Sequence, residues 1–166
     1  MSNPADSFMS TGRINIHATA IVIATRGFLF VGPAGSGKSM LAFACLASAR
    51  RMGLFSALVS DDQVFVSRHG DHILAERPDT IAGLIELRGT GIAETNSIPS
   101  ALLNYAVLPV RLKDADRLPA ENERFEVFDD ALLPLVRLPV EAPDPLAALS
   151  AFLSAVGPPE ARRTFF

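Results

Sequence analysis

The sequence has a single cysteine, Cys45, so no internal disulfide can form. No apolar run approaches the ~20 residues that a membrane-spanning helix needs. Basic residues do not outnumber acidic ones; the net charge of −3 leaves no electrostatic footprint for nucleic acid. Met1 to Gly12 lacks the basic and apolar regions of a secretory leader, and a cytoplasmic location is expected. No cysteine cluster supports a zinc site, and His69 and His72 are not spaced for a helical one. What is present is apolar mass: 49% hydrophobic residues in a chain of 166, enough for the core of one domain.

The chain is organised around Gly32-Pro33-Ala34-Gly35-Ser36-Gly37-Lys38-Ser39, the full G-x-x-x-x-G-K-[ST] pattern of a phosphate loop. Gly27 to Val31 before it reads as a buried strand. Met40 to Ala47 after it is built of helix formers, free of proline and glycine. Glycines let successive N–H groups close around phosphate oxygens, and the helix aims the positive end of its dipole there. Lys38 adds a point charge for the outer phosphates, and the Ser39 hydroxyl suits Mg²⁺.

Ile14 to His17 and Thr19 to Ala24 read as extended segments, with Thr25-Arg26-Gly27 as a turn signal. A connection this short makes the second segment and the Gly27–Val31 strand antiparallel neighbours, which points to a mixed sheet. The helix runs to about Arg51 and stops at Gly53. Ser56 to Ser60 is a further strand; Gln63–Ser67 and Asp71–Ala75 form a hairpin around Arg68-His69-Gly70. Asn104–Val110 and Arg124–Phe128 are later strands, separated by a polar loop from Asp114 to Glu123. A last helix is capped by Asp144, begins with Pro145 and stops at Gly157-Pro158-Pro159. Leu146, Leu149, Phe152 and Leu153 give it one apolar face. The division expected is a loose segment at 1–13, one domain over 14–157 and a tail at 158–166.

Asp61 and Asp62 end the Ser56–Ser60 strand, where a carboxylate can reach a phosphate-bound cation. Adjacent strand residues face opposite ways, so spacing alone does not choose between them, and a plain turn is the alternative. Glu86 and Arg88, two apart in an apolar setting, share a face in a strand. They can serve a polyphosphate site or form a surface ion pair. His17 taken alone reads as structural.

Four blocks together resemble a known family: His17, the phosphate loop, Leu58-Val59-Ser60-Asp61-Asp62 and Glu86-Leu87-Arg88-Gly89-Thr90-Gly91-Ile92, in that order. The chain resembles the C-terminal catalytic domain of HPr kinase/phosphorylase, in the short alphaproteobacterial form without the N-terminal domain of longer members. The resemblance implies an α/β P-loop kinase domain of HPr-kinase type, a mixed sheet with flanking helices. It implies phosphorylation of a serine of the HPr phosphocarrier by ATP or pyrophosphate with Mg²⁺, phosphorolysis as the reverse, and a homo-oligomer, commonly a hexamer. Asp62 would be the proton acceptor and His17 an active-site residue. Ser39 and Glu86 would hold the metal, with Asp61 beside them, and Arg88 would meet the phosphates with the loop. Asp116-Arg117-Leu118 resembles the family's D-R-L, making Arg117 a catalytic arginine.

The chain departs from the pattern at Met40, where family members carry an acid. Leu135-Val136-Arg137-Leu138-Pro139 keeps only an arginine and a proline of the stretch tied to phosphorolysis. Two rival expectations are a small-molecule kinase on the same scaffold and a nucleotide-binding module without catalysis. All three need the loop. Replacing Lys38 by Ala is expected to abolish the thermal stabilisation given by Mg-ATP; an undiminished shift would exclude the loop as the site.

Overall fold

The computed structural model describes residues 12–156. Twelve strands and two helices follow one another: β1 (Ile14–Ile16), β2 (Thr19–Ile23), β3 (Arg26–Phe30), α1 (Lys38–Arg51), β4 (Ser56–Ser60), β5 (Val64–His69), β6 (His72–Glu76), β7 (Leu84–Leu87), β8 (Gly91–Glu94), β9 (Ser100–Leu103), β10 (Tyr105–Val110), β11 (Arg124–Phe128), β12 (Ala131–Pro139) and α2 (Pro145–Val156). A mixed six-stranded sheet has the order β11-β12-β10-β3-β2-β4. A four-stranded antiparallel sheet has the order β1-β5-β6-β9, and β7-β8 is a separate hairpin. No helix among the described residues is long and apolar enough to cross a membrane.

The β2, β3 and β4 strands of the six-stranded sheet are buried on both faces, which is why they carry apolar runs. On one face Ile21, Ile23, Phe28, Phe30 and Val107 pack with Leu41 and Cys45 of α1 and with Leu146, Leu149 and Leu153 of α2. On the other, Ala20, Val22, Leu29, Val31 and Ala106 meet Val64, Val66, Ile73 and Ala75 of the four-stranded sheet. The side-chain period of two sends neighbours to opposite layers. Cys45 is fully buried, and its thiol is pushed up to about 12, by desolvation first and by the charge of Asp144 second, so it stays protonated and unreactive.

β2 and β3 are antiparallel, as their short connection demands, with Thr19 opposite Phe30 and Ile23 opposite Arg26. The turn is Ala24-Thr25, not the expected Thr25-Arg26-Gly27, because Arg26 and Gly27 belong to β3. Gly27 is there for a different reason. A Cβ on it would lie 1.9 Å from the Leu102 carbonyl oxygen. Its N–H donates to Asn104 Oδ1 (2.8 Å) and its carbonyl accepts from Asn104 N (2.8 Å), so the two sheets touch at this residue. The β5–β6 turn is also shorter than expected: His69 pairs with His72, leaving Gly70-Asp71 as the turn.

α2 begins as expected, with the Ala147 N–H donating to Asp144 Oδ1 (3.1 Å). Phe152 does not join its buried face. It is 47% exposed, whereas Leu146, Leu149 and Leu153 are buried. At 100° per residue Phe152 points well to one side of those leucines. The expected stop at Gly157-Pro158-Pro159, the tail, and most of the segment 1–13 lie outside the described residues. Strands β8, β9 and β12 were not anticipated; Pro134 and Pro139 break the β signal of β12.

Because backbone rather than a movable side chain fills the space at Gly27, Gly27→Ala is expected to destabilise the protein by ~3 kcal/mol. A lowered urea midpoint at constant slope would show it. A midpoint equal to wild type would mean that the two sheets are not pinned there.

Candidate active site

The site forms where parallel strands end on one edge of the six-stranded sheet. β3, β10 and β12 run parallel, and β4, antiparallel to β2, points the same way as β3. Their carboxyl ends meet at the phosphate loop, the position expected for a ligand in an open α/β sheet. The loop leaves β3 with Gly32, Gly35 and Gly37 at φ of 131°, 75° and 100°. The positive φ of Gly35 calls for glycine, and a Cβ there would stand 3.0 Å from Arg88 Nη1, the movable tip of that side chain. The guanidinium of Arg88 thus lies over the loop. Gly37 caps α1 without a side chain, so the first N–H groups of the helix are left for an anion.

Lys38 is 6% exposed, and its Nζ donates to the carbonyls of Gly32 and Pro33, both at 2.9 Å. Desolvation lowers its pKa, and the charges of Asp61 and Asp62 oppose that shift. The ammonium rests on its own loop within reach of phosphate oxygens. Ser36 Oγ is buried without a hydrogen-bond partner among the described residues, a polar atom suited to a phosphate oxygen.

Asp61 is 5% exposed and holds three elements together. Its Oδ1 accepts from Thr19 Oγ (2.7 Å) and Ser39 Oγ (2.7 Å), and its Oδ2 accepts from the Glu86 N–H (3.0 Å). Asp62, exposed and at φ 70°, turns the other way. Its Oδ1 lies 2.8 Å from His17 Nδ1, and the same nitrogen is 3.0 Å from the Asp62 carbonyl. With that nitrogen protonated, both oxygens accept and Nε2 is left as the second ring nitrogen. β4 ends at Ser60, after a bulge at Val59 in its pairing with β2, and the pair follows with Asp61 turned inward and Asp62 outward.

An open cleft of about 230 Å³ results, lined by His17, Thr19, Ala34, Gly35, Gly37, Lys38, Ser39, Met40, Asp62, Glu86 and Arg88. Asp61 lies beneath it, behind Ser39 and Thr19. Gly32 and Pro33 serve it through the carbonyls that hold Lys38. Arg117 is exposed, on the loop that follows β10 at the same sheet edge, and does not line the cleft. Arg137 is also elsewhere: it makes a two-pronged pair with Glu123 (both contacts 2.8 Å), whose carboxyl this hydrogen bond holds below its usual range. Thr19 and Met40 were missed as lining residues. Thr19 reads as an ordinary β-former, and only its pairing opposite Phe30 brings it to the loop.

The residues fit Mg²⁺. Among those described no three acidic, histidine or cysteine side chains converge into a complete metal cage. Mg²⁺ bound with a polyphosphate needs only one or two protein ligands. Ser39, its proton given to Asp61, keeps its lone pairs, and Glu86 has an exposed carboxylate on the cleft.

The profile of the HPr Serine kinase C-terminal domain matches residues 9–151. The chain belongs to that family. It is 29% identical over 119 residues to an HPr kinase/phosphorylase of Mycoplasmopsis pulmonis, covering 68% of this chain and 36% of that protein. It is 29% identical over 145 residues to one of Bacillus cytotoxicus, covering 81% and 45%. The chain thus spans less than half the length of these curated relatives. The solved structure of the Hpr(Ser) kinase/phosphatase from Coxiella burnetii superposes with a TM-score of 0.65 over 84% of this chain and 97% of the other, at 20% identity. That match shows a shared fold: an α/β domain of HPr-kinase type with a mixed sheet.

Asp61→Ala leaves two hydroxyls and a peptide N–H without their acceptor. It should cost about 3 kcal/mol of stability, and Asp61→Asn, which keeps an acceptor for the hydroxyls, should cost less. Denaturant midpoints measure both. An Ala variant as stable as wild type would show that Asp61 does not tie β2, α1 and β7 together.

Proposed function

We propose that this domain transfers a phosphoryl group from ATP or pyrophosphate to a serine hydroxyl of an HPr-type phosphocarrier protein, with Mg²⁺. The observation that carries the reading is the Asp62 carboxylate, exposed on the same cleft as Lys38 and the phosphate loop and held by His17. A phosphate loop alone supports nucleotide binding. A free carboxylate facing it, braced by a histidine, supports proton transfer from an incoming hydroxyl. Membership of the HPr serine kinase family supports the choice of acceptor.

The chemistry divides among the chain's residues. Loop amides, Lys38 and Arg88 hold the phosphates and offset their charge. Ser39 and Glu86 would hold Mg²⁺, which would supply positive charge to offset that of the phosphates; Asp61 acts behind Ser39 by orienting its hydroxyl. Asp62 takes the serine proton as the serine oxygen bonds to phosphorus and the bond from phosphorus to the leaving oxygen breaks. His17, through Nδ1, fixes the Asp62 carboxylate. In phosphorolysis inorganic phosphate attacks the phosphoserine, the protonated Asp62 returns its proton to the serine oxygen, and pyrophosphate leaves. Arg117, on the loop after β10, would join on the acceptor side when the carrier is bound.

Incubation with a phosphocarrier, Mg²⁺ and either donor, read by mass spectrometry, tests the proposal. Wild type should add one phosphoryl group to serine. Asp62→Asn should bind Mg-ATP normally yet lose ~10²–10⁴ in rate, together with any phosphorolysis. Near-wild-type transfer by Asp62→Asn would overturn the acid–base assignment. Label appearing on a metabolite would favour a small-molecule kinase. Binding without transfer in wild type would favour a nucleotide-binding module.

A further inference from the structure

A second groove lies at the opposite ends of the elements that build the cleft. α1 carries Lys38 and Ser39 at its start and Arg50 near its end. β4 runs from Ser56 and Ala57 to the aspartate pair. The β7–β8 hairpin turns at the cleft beside Glu86 and Arg88, and its outgoing strand continues to Asn96, Ser97 and Ile98. This last stretch lies along β4 as a short parallel bridge, with Leu58 N donating to Asn96 O and Ile98 N donating to Leu58 O (both 2.9 Å). Between them is a volume of about 430 Å³, against about 230 Å³ for the catalytic cleft. The larger figure falls in the range of small-molecule sites, roughly 300–1,000 Å³.

The lining has a definite chemical character. Leu54, Phe55, Ala57 and Ile98 give it apolar walls, and Phe55 is 58% exposed although large and aromatic. Arg50 supplies a guanidinium that one hydrogen bond, Nη2 to Thr95 Oγ (3.0 Å), holds in place. It forms no ion pair among the described residues. Ser97 Oγ accepts from Arg77 Nη1 (2.7 Å), which frees its own proton for donation. The groove therefore presents donors and one uncompensated positive charge on an apolar surface.

Charge balance selects the ligand. The groove adjoins the C-terminus of α1, the negative end of the helix dipole, which disfavours multiply charged anions. A single planar guanidinium matches a single carboxylate, two N–H groups to two oxygens. The walls ask for an apolar body. We propose that this groove is a second ligand site, and that it takes a small organic monocarboxylate with an apolar or aromatic body. The site is independent of the phosphotransfer reading, because its occupancy is measured without catalysis.

Amide spectra of the isotope-labelled full chain, titrated with phenylacetate, test it. Saturable shifts are expected at Leu54, Phe55, Asn96 and Ile98. Phenylacetamide and inorganic phosphate should each bind about ten-fold or more weakly, since one lacks the charge and the other the apolar body. Arg50→Gln, an exposed position, should melt as wild type and lose phenylacetate affinity by a similar factor. Phe55→Ser should weaken it as well while leaving phosphate binding at the loop unaltered. The proposal is overturned if phenylacetate causes no shifts there, if the amide binds as well as the acid, if Arg50→Gln binds as wild type, or if the shifts fall on Gly32 to Ser39 instead.

Discussion

Asp61 accepts hydrogen bonds from β2, from the first turn of α1 and from the backbone of β7, and the geometry of the cleft follows from these contacts. A buried carboxylate is costly unless its lone pairs are filled, so Thr19, Ser39 and the Glu86 N–H are drawn to fixed positions around it. Fixing Ser39 sets the direction of its remaining lone pairs. Fixing the Glu86 backbone sets the hairpin from which Glu86 and Arg88 reach the loop. Even the exposure of Asp62 depends on it, because burying the first aspartate at a strand end turns the next one outward.

The sheet contributes direction. With β4 and β3 parallel and β2 antiparallel between them, the loop, the aspartate pair and Thr19 share one edge, although they are far apart in sequence. The second sheet closes the other face, and contact at Gly27 sets how near it comes. Helices on one side and strands on the other leave the central strands no face toward water. Their apolar content therefore says little about which residues point where.

The phosphate loop was legible because its chemistry is local: glycines, a lysine and a serine at fixed spacing between a strand and a helix. The antiparallel β2–β3 pair was legible too, since a two-residue connection permits nothing else. The aspartate pair was visible, but its division of labour was not. Which carboxylate is buried depends on a bulge at Val59 and on partners 22 and 42 residues away. Thr19 stayed hidden for the same reason. Nothing within a few residues of Thr19 distinguishes it from any other strand threonine. β12 was hidden by its prolines, and Gly27 was read as a turn residue because a close approach to Leu102 leaves no local trace.

The left-handed backbone at Asp62 sets limits of its own. Among residues with a side chain, only asparagine and aspartate enter that region readily, while others meet a cost of roughly 1–2 kcal/mol. Glutamate would keep an acid but strain the turn, so an unstrained carboxylate at this point is confined to one amino acid. Asparagine and glycine would keep the turn and remove the acid. Asparagine and glycine each lie a single base change from this codon, so drift here can remove the carboxylate without disturbing the turn that carries it.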